Sequence, residues 1–344
     1  MKKKSGLLRI ALSLLIIAGL VRFAITVNWH STWQTILQAD RTIFLAAAVV
    51  NLVSLAFKGL RWWIFLRPVG ARSLPLALKA TFAGAGLNNI LVANGGEAAR
   101  VVFVARAAHI QSAKVLATLA LERMFELIGY IVLLALSVSF LELPSSLTRW
   151  RPVAWVALAG IALFLVFLVR RPERAEVVAA TTVVGWRARF SAYMKHFAHT
   201  IGGISTGPRF ASALALSVGV WALQVWTYSL TARAAHFNLP LVGTVAAILA
   251  VNLGFALRAT PGNVGLFQFA YAATAAALGM DKDQAIAVAS LIQTQQIIPV
   301  TLLGVALAPE FIFKRKQVIR KEDSGLELRD RADVVAANTE GAAD

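Results

Sequence analysis

The chain contains no cysteine. Disulfides, thiolate nucleophiles and thiolate-held metals are therefore excluded, although compartment cannot be read from that absence. Charge is scarce as well: 15% of the 344 residues are charged, against about 25% in a soluble chain. Acid is the scarcer sign, with 17 Asp and Glu facing 34 Lys and Arg for a formal net charge of +17. Several chemical motifs are missing too. There is no His-Glu-x-x-His, no Asp-rich diphosphate motif and no Gly-Lys-Ser/Thr phosphate loop, so zincin chemistry and P-loop nucleotide binding lack their residues. His30, His109, His196, His199 and His236 fall in loops or interfacial stretches without metal-ligand spacing. No metal or other cofactor is implied. No helix-turn-helix, zinc-finger or RNA-binding signature accompanies the basic balance, which removes nucleic acid as its explanation.

What is abundant is apolar. The chain is 58% hydrophobic with a mean hydropathy of +0.69, and several runs reach the roughly 20 residues needed to cross a bilayer. Lys and Arg gather in loops of one side, as the positive-inside rule requires. The fold class is all-α: a polytopic transmembrane helix bundle. Residues 1–313 form one integral membrane domain and residues 314–344 a disordered cytoplasmic tail.

The spacing places a first, uncleaved helix at 7–27, then an external loop at 28–40 without Lys or Arg. Trp29 and Trp33 in that loop fit an interfacial aromatic belt. A second helix, 42–65, returns inward. The stretch 74–92 is flanked by Arg67 and Arg72 on one side and by Arg100, Arg106 and Lys114 on the other. A re-entrant hairpin keeps both groups inside, and Gly84, Gly86, Asn88, Asn89, Gly95 and Gly96 supply the breaks. Helices follow at 115–141 and 152–169. A basic cytoplasmic segment, 170–209, carries Trp186, Phe190, Tyr193 and Phe197 on one helical arc, for a helix on the inner membrane surface or packed under the bundle. The stretch 210–231 crosses outward, and 286–307 crosses last.

Between them, 241–257 and 267–278 flank the break Arg258-Ala-Thr-Pro261-Gly262-Asn263-Val-Gly265. Read as two crossings they give eight helices and one re-entrant element. Read as a hairpin from outside they give six helices and two hairpins. Leu74-Pro75-Leu76 and Leu239-Pro240-Leu241 open the two broken segments alike, each followed by an Asn (Asn88, Asn252) and a glycine break. Such an echo fits an inverted repeat with broken helices meeting at the midplane.

Ionisable side chains at membrane depth cost about 3 kcal/mol each on insertion scales when unpaired. Glu122, Arg123 and Glu126 lie within the helix 115–141. Glu122 and Glu126 share a face, and Arg123 neighbours Glu126. They are expected to face the protein interior, lining a polar cavity or locked in an ion pair with Arg61, Arg100 or Arg258. Gly95 and Gly96 precede Glu97 and Arg100 at a helix start, where free N–H groups suit an anion and Arg100 suits a bidentate contact. Arg258 faces the cavity from the other half or marks the interface. Asn88, Asn89, Asn252, Gln268 and Gln296 are further cavity candidates, together with Pro261, Gly262 and Gly265 at the second break. Gln293, Gln295 and Gln296 fall on different faces, so at least one bonds to a neighbouring helix.

The ordered segments KGLRWWIFL (58–66), NNILVANGGEAAR (88–100), Glu122-Arg123 and PGNVGLF (261–267) resemble the transmembrane-region, or flippase-like, family of lysylphosphatidylglycerol synthases. The resemblance covers about 7–312. It departs at Val92-Ala93-Asn94, where the family pattern has a proline, and at Gln268, where an acid is frequent. It implies a bacterial plasma (inner) membrane protein with both termini cytoplasmic, and the lipid-handling portion without the soluble aminoacyl-transferase domain. The implied function is binding and translocation of an anionic phospholipid or polyprenyl-phosphate lipid. A non-enzymatic subunit presenting lipid to a separate synthase or glycosyltransferase is the second expectation. An intramembrane lipid-modifying enzyme using Glu122 or Glu126 is the third.

Overall fold

A computed structural model describes residues 25, 27–90, 95–140, 151–170, 207–255 and 263–307. The first helix expected at 7–27 (Ile25 and Val27 apart), the aromatic arc at 186–197, Arg258, Pro261, Gly262 and the tail lie outside the described residues.

A short helix, α1 (Trp29–Leu37), stands where an external loop is expected. Asn28 starts it by accepting from the Ser31 N–H at 3.2 Å, and no glycine or proline interrupts it. Asp40 then caps α2 (Arg41–Leu66), accepting from Thr42 and Ile43 N–H at 2.8 and 3.0 Å. Leu45, Val49 and Val53 form an exposed apolar stripe on α2, whereas Asn51 and Ser54 are buried. Polarity is inside, as a lipid solvent demands.

A 3-10 turn (Arg67–Val69) leads into α3 (Leu74–Ile90), and α4 (Gly95–Ala107) packs back along it. Next come α5 (Ser112–Phe140), α6 (Arg151–Arg170) and α7 (Gly207–Ala234). The second pair is α8 (Leu241–Phe255) and α9 (Leu266–Ala276), also packed on each other. The last helix is α10 (Lys282–Leu307). Among the described residues α2, α7 and α10 are each long and apolar enough to cross a membrane.

Both pairs are hairpins whose ends share one end of the bundle. For α3–α4, a side chain at Gly70 before the hairpin would touch Ile110 after it. For α8–α9, the preceding α7 ends at Ala234, whose carbonyl accepts from Asp40 N–H at 2.7 Å. The following α10 starts beside Asp283, which accepts from Asn28 N–H at 3.1 Å. The first hairpin therefore enters from the end where α2 finishes, and the second from the end where α2 begins. Among the described residues this makes 241–255 and 266–276 a hairpin rather than two crossings.

The two tips converge on α10. Asn89 donates to Thr301 Oγ1 at 3.0 Å and Ile297 O at 3.4 Å. Gln268 donates to Gln293 Oε1 at 2.6 Å. Gln293 lies about 16 Å from the start of α10 and Ile297 about 15 Å from its end, at 1.5 Å per residue. Both tips thus stop near mid-depth. Each hairpin has its own apolar core. Trp62, Phe65, Val104, Leu121 and Phe125 surround the first; Tyr228, Ile248, Phe267, Tyr271 and Ile292 surround the second.

Candidate functional site

Seven ionisable side chains from α2, α4 and α5 meet beside the first hairpin. Arg61 comes from α2, where it is buried beside Trp62 ahead of the helix's last turn. Glu97 and Arg100 come from α4, and Glu122, Arg123 and Glu126 from α5. Lys58, one turn before Arg61, completes the group.

The inner part is buried and paired. Arg100 Nη2 donates to Glu122 Oε2 at 2.5 Å. Arg61 Nη2 stands 3.8 Å from Glu122 Oε1 and 3.5 Å from Glu126 Oε1. Arg61 Nη1 donates to Ser217 Oγ of α7 at 2.9 Å. The Arg100 guanidinium lies 4.5 Å from the centroid of the Trp62 ring, a contact worth about 2 kcal/mol when desolvated. Trp62 is held in turn by its Nε1–H, which donates to Thr118 Oγ1 at 3.0 Å. Glu122 thus neutralises two guanidinium groups that lipid would not tolerate alone.

The outer part is accessible. Arg123 is 48% exposed, against 0% for Arg61 and 4% for Glu122. Arg123 pairs with Glu97 across the α4–α5 interface and with Glu126 on its own helix at 2.6 Å. Lys58 Nζ reaches Glu126 Oε1 at 3.9 Å. The whole cluster holds four cations (Lys58, Arg61, Arg100, Arg123) and three carboxylates (Glu97, Glu122, Glu126). One positive charge is in surplus. Glu122 is about 15 Å along α5 from Ser112, at 1.5 Å per residue, so the cluster sits well inside the bundle.

The glycine turn is closed from within. Asn88 Oδ1 accepts from the N–H of Gly96 at 2.9 Å and of Glu97 at 3.3 Å. These are two of the amides expected to hold an anion, and the chain's own side chain occupies them. Gly95 opens α4. Gly96 is required because a Cβ there would press on the Gly84 carbonyl oxygen and lie 2.6 Å from Asn88 N. Gly86 meets Gly304 of α10 as closely, with a Cβ only 2.7 Å from Gly304 Cα.

The remaining candidates lie apart from the charges. Asn252 donates to Ile248 O of its own helix at 2.8 Å. Gly265 has φ +87° at the start of α9, and its N–H donates to Gln268 Oε1 at 2.7 Å. Gln296 donates to Gln224 Oε1 at 3.4 Å, and Gln224 donates to Ser54 Oγ at 3.2 Å. The Gln296–Gln224–Ser54 chain joins three helices, as buried polar side chains do in membranes. Sequence reasoning assigned Arg61 only a pairing role and left Lys58, Trp62, Thr118 and Ser217 out of the site. The usable signal is that Arg61 precedes five apolar residues, WWIFL. That places it inside the span rather than at its rim.

No curated protein matches the chain. Residues 10–304 match the family model described as lysylphosphatidylglycerol synthase TM region. With its hairpin-broken helical bundle matched over nearly the whole membrane part, this multi-pass membrane protein belongs to the lysylphosphatidylglycerol synthase transmembrane-region family.

Proposed function

We propose that the protein binds an anionic phospholipid or polyprenyl-phosphate lipid by its head group and moves it across the bacterial inner membrane. Family membership supports a role in lipid synthesis or flipping. The observation that carries the finer reading is the charge surplus beside a re-entrant hairpin. Four cations face three carboxylates, and the most exposed of these cations, Arg123, pairs with Glu97 and Glu126. A phosphate can replace a carboxylate on a guanidinium with the same forked geometry. The inner Arg61–Glu122–Arg100 unit stays fixed, while Arg123 and Lys58 receive the head group. In this reading the Arg67 and Arg72 end is cytoplasmic, since basic loops stay inside.

Purified protein in liposomes should move a fluorescent phosphatidylglycerol between leaflets, measured by loss of protection from a membrane-impermeant quencher. Arg123→Ala should abolish movement at normal protein levels, and Arg123→Lys should keep part of it. Equal movement by Arg123→Ala would remove the cation from the mechanism. A full buried ion-pair unit also suits a second reading, a non-enzymatic subunit that presents lipid to a separate synthase or glycosyltransferase. That protein would bind the lipid, show no movement alone, and co-purify with the enzyme.

A further inference from the structure

We propose that Glu97 is a resident counter-anion that occupies the head-group place on Arg123 and makes the site select phosphodiester monoanions. The proposal rests on the lipid-binding reading of the same cluster. Three observations converge on it. Glu97 pairs with Arg123 from the facing helix, whereas Arg123's other partner, Glu126, is tied to Lys58 and Arg61 as well. Glu97 is therefore the carboxylate with the fewest ties to the rest of the cluster. It is 13% exposed, between Glu122 at 4% and the more tightly tied Glu126 at 25%, so it can turn toward water at lower cost than Glu122. Its backbone is held independently, because the Glu97 N–H donates to Asn88 Oδ1. The side chain can leave Arg123 without unwinding α4.

Charge counting sets the specificity. Glu97 leaves Arg123 but stays tethered beside the cluster, so a monoanionic phosphodiester cancels the single surplus positive charge. A phosphomonoester brings about −1.5 to −2 at neutral pH, and the single surplus positive charge does not balance it. Removing the Glu97 charge raises the surplus to two. Binding of either anion then no longer competes with a tethered carboxylate.

The test uses the full chain in detergent, titrated with short-chain phosphatidylglycerol, short-chain phosphatidic acid or inorganic phosphate. Glu97→Gln should bind phosphatidylglycerol about tenfold more tightly, the scale of one charge-assisted hydrogen bond. It should gain still more for phosphatidic acid. Glu97→Asp, which keeps the charge, should stay near wild type. Inorganic phosphate should bind far more weakly than either lipid in all three proteins. Unchanged or weaker lipid binding by Glu97→Gln overturns the proposal, because a merely structural link between α4 and α5 predicts that loss. Phosphate binding as tight as lipid binding overturns it too, since the site would then serve a soluble anion. If wild type binds lipid with this pattern but moves none in liposomes, translocation fails and the Glu97 assignment stands. If it moves lipid but Glu97→Gln gains nothing, only the Glu97 assignment fails.

Discussion

Glu122→Ala should leave little folded protein. Arg61 and Arg100 are both buried, and Glu122 is the carboxylate they share. Without it, Arg100 retains the face of Trp62 and Arg61 retains Ser217 and a 3.5 Å approach to Glu126. Neither set neutralises two guanidinium groups. Breaking one side of a buried pair costs about 3–5 kcal/mol, a large part of a typical folding free energy of about 5–15 kcal/mol. The measurement is the monodisperse yield and thermal midpoint in detergent. Glu122→Gln keeps the shape and one acceptor, so it should fall between wild type and alanine. Equal stability of all three proteins would contradict the ion-pair assignment.

Gly96→Ala should separate the first hairpin. The added methyl meets backbone, the Gly84 carbonyl and the Asn88 amide, which cannot rotate away as a side chain does. Overpacking of this kind costs about 1–3 kcal/mol, occasionally more. Displacing α4 also removes Asn88 Oδ1 from the Gly96 and Glu97 amides and shifts Glu97 off Arg123. The thermal midpoint in detergent should therefore drop. Gly160→Ala is the control, since a Cβ there has nothing within 4 Å and alanine favours a helix. Equal effects at the two positions would mean that the close approach of α3 and α4 is not needed.

Much of the architecture is legible in the chain, for physical reasons that can be named. Basic flanks on both sides of 74–92 favour a hairpin over a simple crossing, and α3 and α4 form one. The second break could not be decided in the same way, because both counts leave the C-terminus on the same side and Arg258 is the single charge in 241–278. Contacts of Ala234 and Asp283 at the bundle's far end settle it. Charge at membrane depth also announced itself: Glu122 and Glu126 had to be paired. Arg61 and Arg100 were among the three partners named, and both pair with Glu122. Arg61 lies 61 residues earlier in the chain than Glu122, and only the packing of α2 on α5 brings them within 3.8 Å.

The glycine turn shows the opposite failure. Gly95-Gly96 before a helix reads as an anion cradle, yet Asn88 reaches across the hairpin to fill it. That closure depends on α3 lying against α4, which local pattern does not encode. Helix α1 was missed for a smaller reason. Nine residues carrying Ser, Thr and Gln are too few to show period against a loop background.

Two helical hairpins enter the bundle from opposite ends, and the first carries the cation-rich cluster. The natural absence of cysteine makes a direct test available. Single variants Ser73→Cys and Gln111→Cys bracket the first hairpin, and Asn238→Cys and Ala277→Cys bracket the second. An impermeant maleimide applied to right-side-out and inverted vesicles should label Ser73→Cys and Gln111→Cys from one face, and Asn238→Cys and Ala277→Cys from the other. Labelling of Ser73→Cys and Gln111→Cys from opposite faces would make the first hairpin two crossings and contradict the account.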